Sequence, residues 1–272
     1  MSPYFNRRIA ITNEHGSWVF LLSPLLIGLF IGGNWSTPLF YLIVAALAGF
    51  LIRHPVTIAV KVYSGRRSRK DLPAAWFWIA IYAFVALLMI AGLVMRGFGY
   101  VLYLALPGIP VFAWHLWLVT HRAERHQAGV EIVASGVLAL SVPAAYWISV
   151  GAPDPVGWWL WGLTWLQSAA SIVYAYLRLA QRQWKQAPQL KTRLQAGRRT
   201  LYYTSFNLGL TLLLAMIGHL PTWLFLPYGL QWVESIWGTL NPAVGVKPSR
   251  IGLRQLLVSS LFTLLFIICW WI

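Results

Sequence analysis

Acidic residues are scarce in this chain: six Asp and Glu stand against 21 Lys and Arg in 272 residues. Charge of either sign is scarce too, at 10%, where a soluble domain averages about 25%, while 59% of the residues are hydrophobic. That leaves too little polar surface to cover a water-soluble globule. Cysteine occurs once, as Cys269, which excludes an intrachain disulfide and any metal site built on thiolates. GxSxG, a Walker loop, HExxH and CxxC are all absent, and with them the usual signatures of soluble enzymes. The surplus of 15 positive charges would suggest nucleic acid in a soluble protein. Here basic loops that set membrane topology and meet anionic lipid explain it better, and no nucleic-acid partner is expected.

What the chain has is long apolar runs. About 20 such residues cross a hydrocarbon core. Nine segments stand out: Ser17 to Gly33, Pro38 to Ile52, Ala74 to Met95, Gly97 to Val119, Val130 to Val150, Val156 to Leu179, Leu201 to Leu220, Thr222 to Leu240 and Leu253 to Ile272. The second is expected to continue past Pro55 to Val62, because Pro bends a membrane helix more often than it ends it. The polar stretch from Gln181 to Arg199 reads as a loop or a helical extension. Many of the 17 Trp lie near segment ends, among them Trp35, Trp76, Trp147, Trp158 and Trp223, as interfacial belts require. Arg7-Arg8 stands before an apolar run, but the first span leads straight into others and reads as a retained helix rather than a cleaved signal. The expectation is an all-α, polytopic integral membrane helix bundle of about nine transmembrane helices, forming a single transmembrane domain over residues 1–272.

Basic residues fill every second gap between these segments. Twenty of the 21 fall on one side, in clusters around Arg7-Arg8, Arg53 to Lys70, Arg122-Arg125, Arg178 to Arg199 and Lys247 to Arg254; the other side has only Arg96 and the acid Asp154. The positive-inside rule then puts the N-terminus in the cytoplasm and the C-terminus outside, in a bacterial cytoplasmic (inner) membrane.

Four motifs carry a resemblance. Asn13-Glu14-His15-Gly16-Ser17-Trp18 leads into the first span and on to Ser23-Pro24-Leu25-Leu26-Ile27-Gly28. Arg53-His54-Pro55 closes the apolar part of the second. Lys247-Pro248-Ser249-Arg250-Ile251-Gly252 precedes the last. In this order they resemble the YwiC-like family of bacterial integral membrane proteins, whose entry to the first helix is of a Gln-His-Gly-Ala-Trp type; Glu14 and Ser17 depart from it. A more distant likeness is one of plan. Nine helices with enlarged cytoplasmic loops after the second and sixth resemble the arrangement of UbiA-type prenyltransferases. That family implies Asp-rich clusters holding Mg²⁺ at the ends of those two helices. Here the positions read Arg53 to Lys61 and Tyr174 to Lys185 and hold no acid, so the likeness implies a UbiA-like arrangement without its metal chemistry.

Candidate site residues follow from the same clusters. Arg53, Thr57 and Lys61 share one face if the second helix continues past Pro55, and Arg178, Arg182 and Lys185 share one below Tyr174. Guanidinium and ammonium groups bind phosphate or carboxylate with no metal between, so a cytoplasm-facing cavity for an anionic, lipid-tailed ligand is one reading. Topological anchors snorkelling to headgroups are the other. Glu14 and His15 precede the first span as an acid and a group titrating near neutrality; capping of that helix is their plainer role. Glu234 is the one acid well inside an apolar segment, which marks either a functional site or an interhelical polar contact. Gln231, Asn207 and Gln167 are further buried polar candidates. His121 and Glu124 give a lone i, i+3 pair in a loop, a poor start for a metal site, and no metal is assigned. Glu131 pairs with a base or caps a helix.

These residues place the expected cavity between the first, second, sixth and eighth helices, with Glu14, His15, Arg53, Thr57, Lys61, Tyr174, Arg178, Arg182 and Glu234 around it. The expected partners are membrane lipids with anionic headgroups on the cytoplasmic side, and a lipid-phosphate or quinone-like ligand. Three classes of function stay open: a metal-independent or degenerate prenyl or lipid transferase, a transporter, and an accessory subunit of a membrane complex. The cofactor is unknown.

Overall fold

The computed structural model of the protein describes residues 7–11, 15–123 and 127–272, and the side chains of all of these but 7, 8 and 15–17. Eleven α-helices and two 3₁₀ turns, with no strand, make up the described residues. The short α1 (Arg7–Ala10) is followed by α2 (His15–Gly32), α3 (Thr37–Tyr63), α4 (Leu72–Met95), α5 (Gly108–Thr120), α6 (Ala128–Ala139) and α7 (Ser141–Val150). Then come α8 (Pro155–Gln181), α9 (Leu190–Met216), α10 (Leu226–Leu240) and α11 (Pro248–Trp271). Five stretches are long and apolar enough to cross a membrane by length and composition: Thr37–Tyr63, Arg69–Met95, Gly99–Thr120, Ala128–Val150 and Pro248–Trp271; Trp18–Gly32 is a shorter apolar helix. The chain is therefore a multi-pass helical membrane protein.

Local chemistry sets the helix ends. Pro248 opens α11 and Pro155 opens α8, the position where a missing N–H costs nothing. The Asp154 carboxylate accepts the Val156 N–H at 2.8 Å, a normal N-cap. Gly151 takes a left-handed φ of 85° and ends α7, its N–H donating to the Trp147 carbonyl. Pro55 lies inside α3, which continues to Tyr63 as expected.

The fourth and fifth apolar segments are less regular than the sequence reading had them. The fourth begins as a 3₁₀ turn, Gly99–Ala105, and becomes α-helical only at Gly108, because Pro107 and Pro110 remove two backbone donors. The fifth is broken between α6 and α7, where the Leu140 N–H bonds to Val137 in a tightened turn and Pro143 follows. That break leaves the Gly136 carbonyl without its i+4 donor. The Trp161 indole supplies one at 2.9 Å, and the Trp165 indole donates to Ile132 at 2.8 Å. A neighbouring helix thus satisfies the opened backbone, as the membrane interior demands. The eighth segment is helical only from Leu226, and α9 starts at Leu190, so much of the polar stretch is a helical extension.

Two bodies of packing meet at α2. On one side α2 lies against α7 through Gly28 and Gly32: a Cβ at Gly28 would stand 2.5 Å from the Val142 carbonyl oxygen, and one at Gly32 would clash with Ser149. This small-residue contact lets two backbones approach closely. Trp147, near the end of α7, is buried in the same core. It packs against Gly157 and donates to the Asp154 carbonyl at 2.7 Å. On its other side α2 meets α11, where Ser23 and Thr263 share a hydroxyl hydrogen bond. Tyr228, Phe262, Phe266 and Cys269 fill the core between α8, α10 and α11. The pair α3 and α4 packs mainly on itself, with Ile9 of α1 tucked against it.

Candidate functional site

Glu234 is 8% exposed on α10, seated where that helix meets α8 and α11. Tyr174 of α8 donates its hydroxyl to Oε1 at 2.7 Å. Arg254 of α11 grips both oxygens, Nε to Oε1 at 2.6 Å and Nη2 to Oε2 at 2.8 Å. A bidentate guanidinium is a strong neutralising partner for a carboxylate, and an acid this buried needs one. The Arg254 side chain stays 43% exposed, its guanidinium carbon 3.6 Å from the centre of the Trp237 ring. The charge pair therefore has a buried acidic end and an open basic end.

One turn further, Arg178 is 6% exposed. Its Nη1 lies 2.6 Å from the Gly238 carbonyl, 2.7 Å from that of Asn241 and 2.8 Å from Gln181 Oε1. Gln181 Nε2 donates to Gly238 as well, at 3.0 Å. The last carbonyls of a helix have no donors of their own and carry the negative end of its dipole. Arg178 supplies both hydrogen bonds and positive charge there, so it acts as a C-terminal cap of α10. Gly238 makes this fit possible, since any Cβ there would collide with the Tyr174 hydroxyl.

Tyr174, Arg178 and Glu234, three of the residues singled out from the sequence, are thus one cluster. Arg182 is nearby, its Nε donating to the Val246 carbonyl at 3.4 Å. Arg53, Thr57 and Lys61 are not brought to it. They occupy successive turns of α3, which packs on α4, α5 and α7 rather than on α8 or α10. Arg53 lies over the Phe50 ring at 4.8 Å, and Thr57 donates back to the Arg53 carbonyl at 2.8 Å. Glu14 lies outside the described residues. His15 begins α2, with its side chain outside them. Glu124 lies outside them as well, and among the described residues no three His, Cys, Asp or Glu gather where they could hold a metal.

By sequence Arg254 stands among the topological cations, and its bond to Glu234 emerges only in the structure. A depth signal was there: Arg254 lies six residues into α11, roughly 9 Å along the axis at 1.5 Å per residue, deeper than Lys247 or Arg250. The polar candidates Gln167, Asn207 and Gln231 are all buried. Gln231 Nε2 donates to the Gln167 carbonyl at 3.0 Å, and Asn207 Nδ2 to that of Leu166 at 2.9 Å. Gln255 adds a third such bond, to the Ser171 carbonyl at 3.1 Å. Side-chain amides thus tie α9, α10 and α11 to the backbone of α8.

Three comparisons bear on identity. The family model described as YwiC-like protein matches residues 11–146, half of the chain and the half that ends within α7. The uncharacterized protein YwiC of Bacillus subtilis (strain 168) is 29% identical over 167 residues, 58% of this chain and 61% of that protein. The chain thus spans about three fifths of the length of that curated relative. No solved structure matches. With the matching family region running from the approach to α2 through the α2–α7 contact, the chain belongs to the YwiC-like protein family.

Proposed function

We propose that this protein binds an anionic, lipid-like ligand at the basic end of α8, α9, α10 and α11, as a nine-crossing protein of the bacterial cytoplasmic membrane with its N-terminus inside. The observation that carries the reading is a group of exposed cations. Lys185, Lys191, Arg198, Arg199, Lys247 and Arg250 are all exposed, and among the described residues the ion pairs are Arg67 with Asp71 and Arg254 with Glu234. No described acid answers those six. Cations near the anionic leaflet contribute about 1 kcal/mol each.

The crossing number and sidedness have their own support. Each of the nine apolar segments holds a helix, and contacts join the basic ends to one another. Arg66 Nη1 donates to the Val119 carbonyl, and Arg193 Nη1 to Leu240 at 2.9 Å. At the opposite ends of these helices Tyr100 donates to the Trp147 carbonyl at 3.3 Å. A UbiA-like ordering is proposed only from the basic character of the connections after α3 and α8, residues 64–71 and 182–189.

Native mass spectrometry of the protein released from mild detergent tests the ligand. Anionic phospholipid or prenyl phosphate should remain bound in preference to zwitterionic lipid. Replacing Lys185, Lys191, Arg198 and Arg199 together with Gln should abolish the preference. Equal retention of both lipid classes by the unaltered protein, or an unchanged preference in the variant, would sink the reading.

A further inference from the structure

Between α8, α10 and α11, beside Glu234, lies a small space whose surface is mostly apolar but into whose wall several polar side chains are set. Gln167, Ser171, Gln231, Glu234, Gln255 and Ser259 contribute to it. Its free volume is about 10 Å³, the least that holds one water molecule. Gln231 is 6% exposed and turns its Nε2 to the Gln167 carbonyl, which leaves its Oε1 buried with no hydrogen bond from the protein. A buried amide oxygen without a donor costs about 1–3 kcal/mol, and hydrocarbon surroundings offer nothing to relieve it.

We propose that this space is a structural water site, in which one water molecule donates to Gln231 Oε1 and is enclosed from the basic face by the Glu234–Arg254 pair. The polar groups set in this wall suit water in both directions, since Gln231 brings an amide oxygen that accepts and Ser171 and Ser259 bring hydroxyls that donate or accept. A metal cation suits it poorly, because the one carboxylate there is already neutralised by Arg254. The order of groups from outside inward is Arg254, 43% exposed in its side chain, then Glu234, then the water. Breaking the pair should open the site to solvent.

X-ray hydroxyl-radical footprinting of the intact protein in detergent tests the occupancy. Radicals born from a bound water oxidise the side chains next to it. Phe262 lines the space and is 1% exposed, while Phe266, one turn along α11, does not line it and is 0% exposed. Phe262 should be modified several-fold faster than Phe266, and Gln231→Met should bring the two rates together. Equal rates in the unaltered protein overturn the proposal even if the Met variant fails to fold. For the closure, Ser259→Cys in a Cys269→Ala background should react slowly with a small cationic thiosulfonate. Adding Glu234→Gln should speed that reaction at least tenfold, and an unchanged rate would show that the pair closes nothing.

Discussion

The Glu234–Arg254 pair is lopsided, and the lopsidedness predicts which half is the more costly to lose. Arg254→Ala strands a carboxylate at a site 8% exposed, the case in which breaking a buried pair costs about 3–5 kcal/mol. Glu234→Gln leaves a neutral amide inside and a guanidinium that already reaches solvent, so about 1–2 kcal/mol is expected. Thermal denaturation followed by loss of the monodisperse peak in size-exclusion chromatography should therefore rank Arg254→Ala below Glu234→Gln. The reverse order would mean that Arg254, not Glu234, is the buried end. Arg178 gives a second prediction. Arg178→Leu removes the side-chain donor of the Asn241 carbonyl and one of the two on the Gly238 carbonyl and should cost about 1–3 kcal/mol, whereas a role confined to ligand binding would leave the melting point unchanged. The acid at 234 was legible in the sequence because an intramembrane acid is conspicuous in a chain with six. Its partner was not, because Arg254 is one of 21 basic residues, most of them in clusters between apolar segments, and nothing local distinguishes a bound guanidinium from a snorkelling one.

Helix contacts here run through small residues, and their placement separates tolerant glycines from intolerant ones. Gly28→Leu should force α2 away from α7, at roughly 1–3 kcal/mol or with loss of the folded protein. Gly49→Ala in α3 meets nothing within 4 Å of its Cβ and should be neutral or stabilising by up to about 1 kcal/mol. Expression and melting of the pair in the same detergent check this, and equal tolerance would exclude a close α2–α7 approach. Trp161→Phe keeps the ring but strands the Gly136 carbonyl. It should destabilise by about 1 kcal/mol more than Trp158→Phe, whose indole has no hydrogen bond among the described residues. The apolar segments were readable as helices because a membrane leaves the backbone no alternative. The break at Leu140 was not, since it depends on Trp161 and Trp165 of another helix to satisfy what it opens.

Across the whole molecule, charge and packing divide the chain differently. Charge alternates along all of it, and that alternation was legible from one end to the other. Packing gathers α2 with α6, α7, α8 and α11, and leaves α3 and α4 as a pair that meets the rest along α2, α5 and α7. That second division was invisible, because helices that face lipid and helices that face helices are equally apolar. It is also why the Arg53 stripe and the Arg178 cluster, grouped in expectation, stand on helices of different packing groups. Fusions of alkaline phosphatase and of green fluorescent protein after Pro188 and after Pro153 should give opposite signals. Fluorescence is expected at the first and phosphatase activity at the second, and the converse pattern would invert the topology.

The lone cysteine has a practical consequence. Cys269 is 2% exposed, enclosed with Phe262, Phe266 and Leu220 in the core that joins the last helix to the rest. The folded chain therefore carries one silent thiol, and its unmasking reports the release of α11. A maleimide dye that fluoresces on coupling would time that release in unaltered protein, with no label to introduce and no second site to subtract.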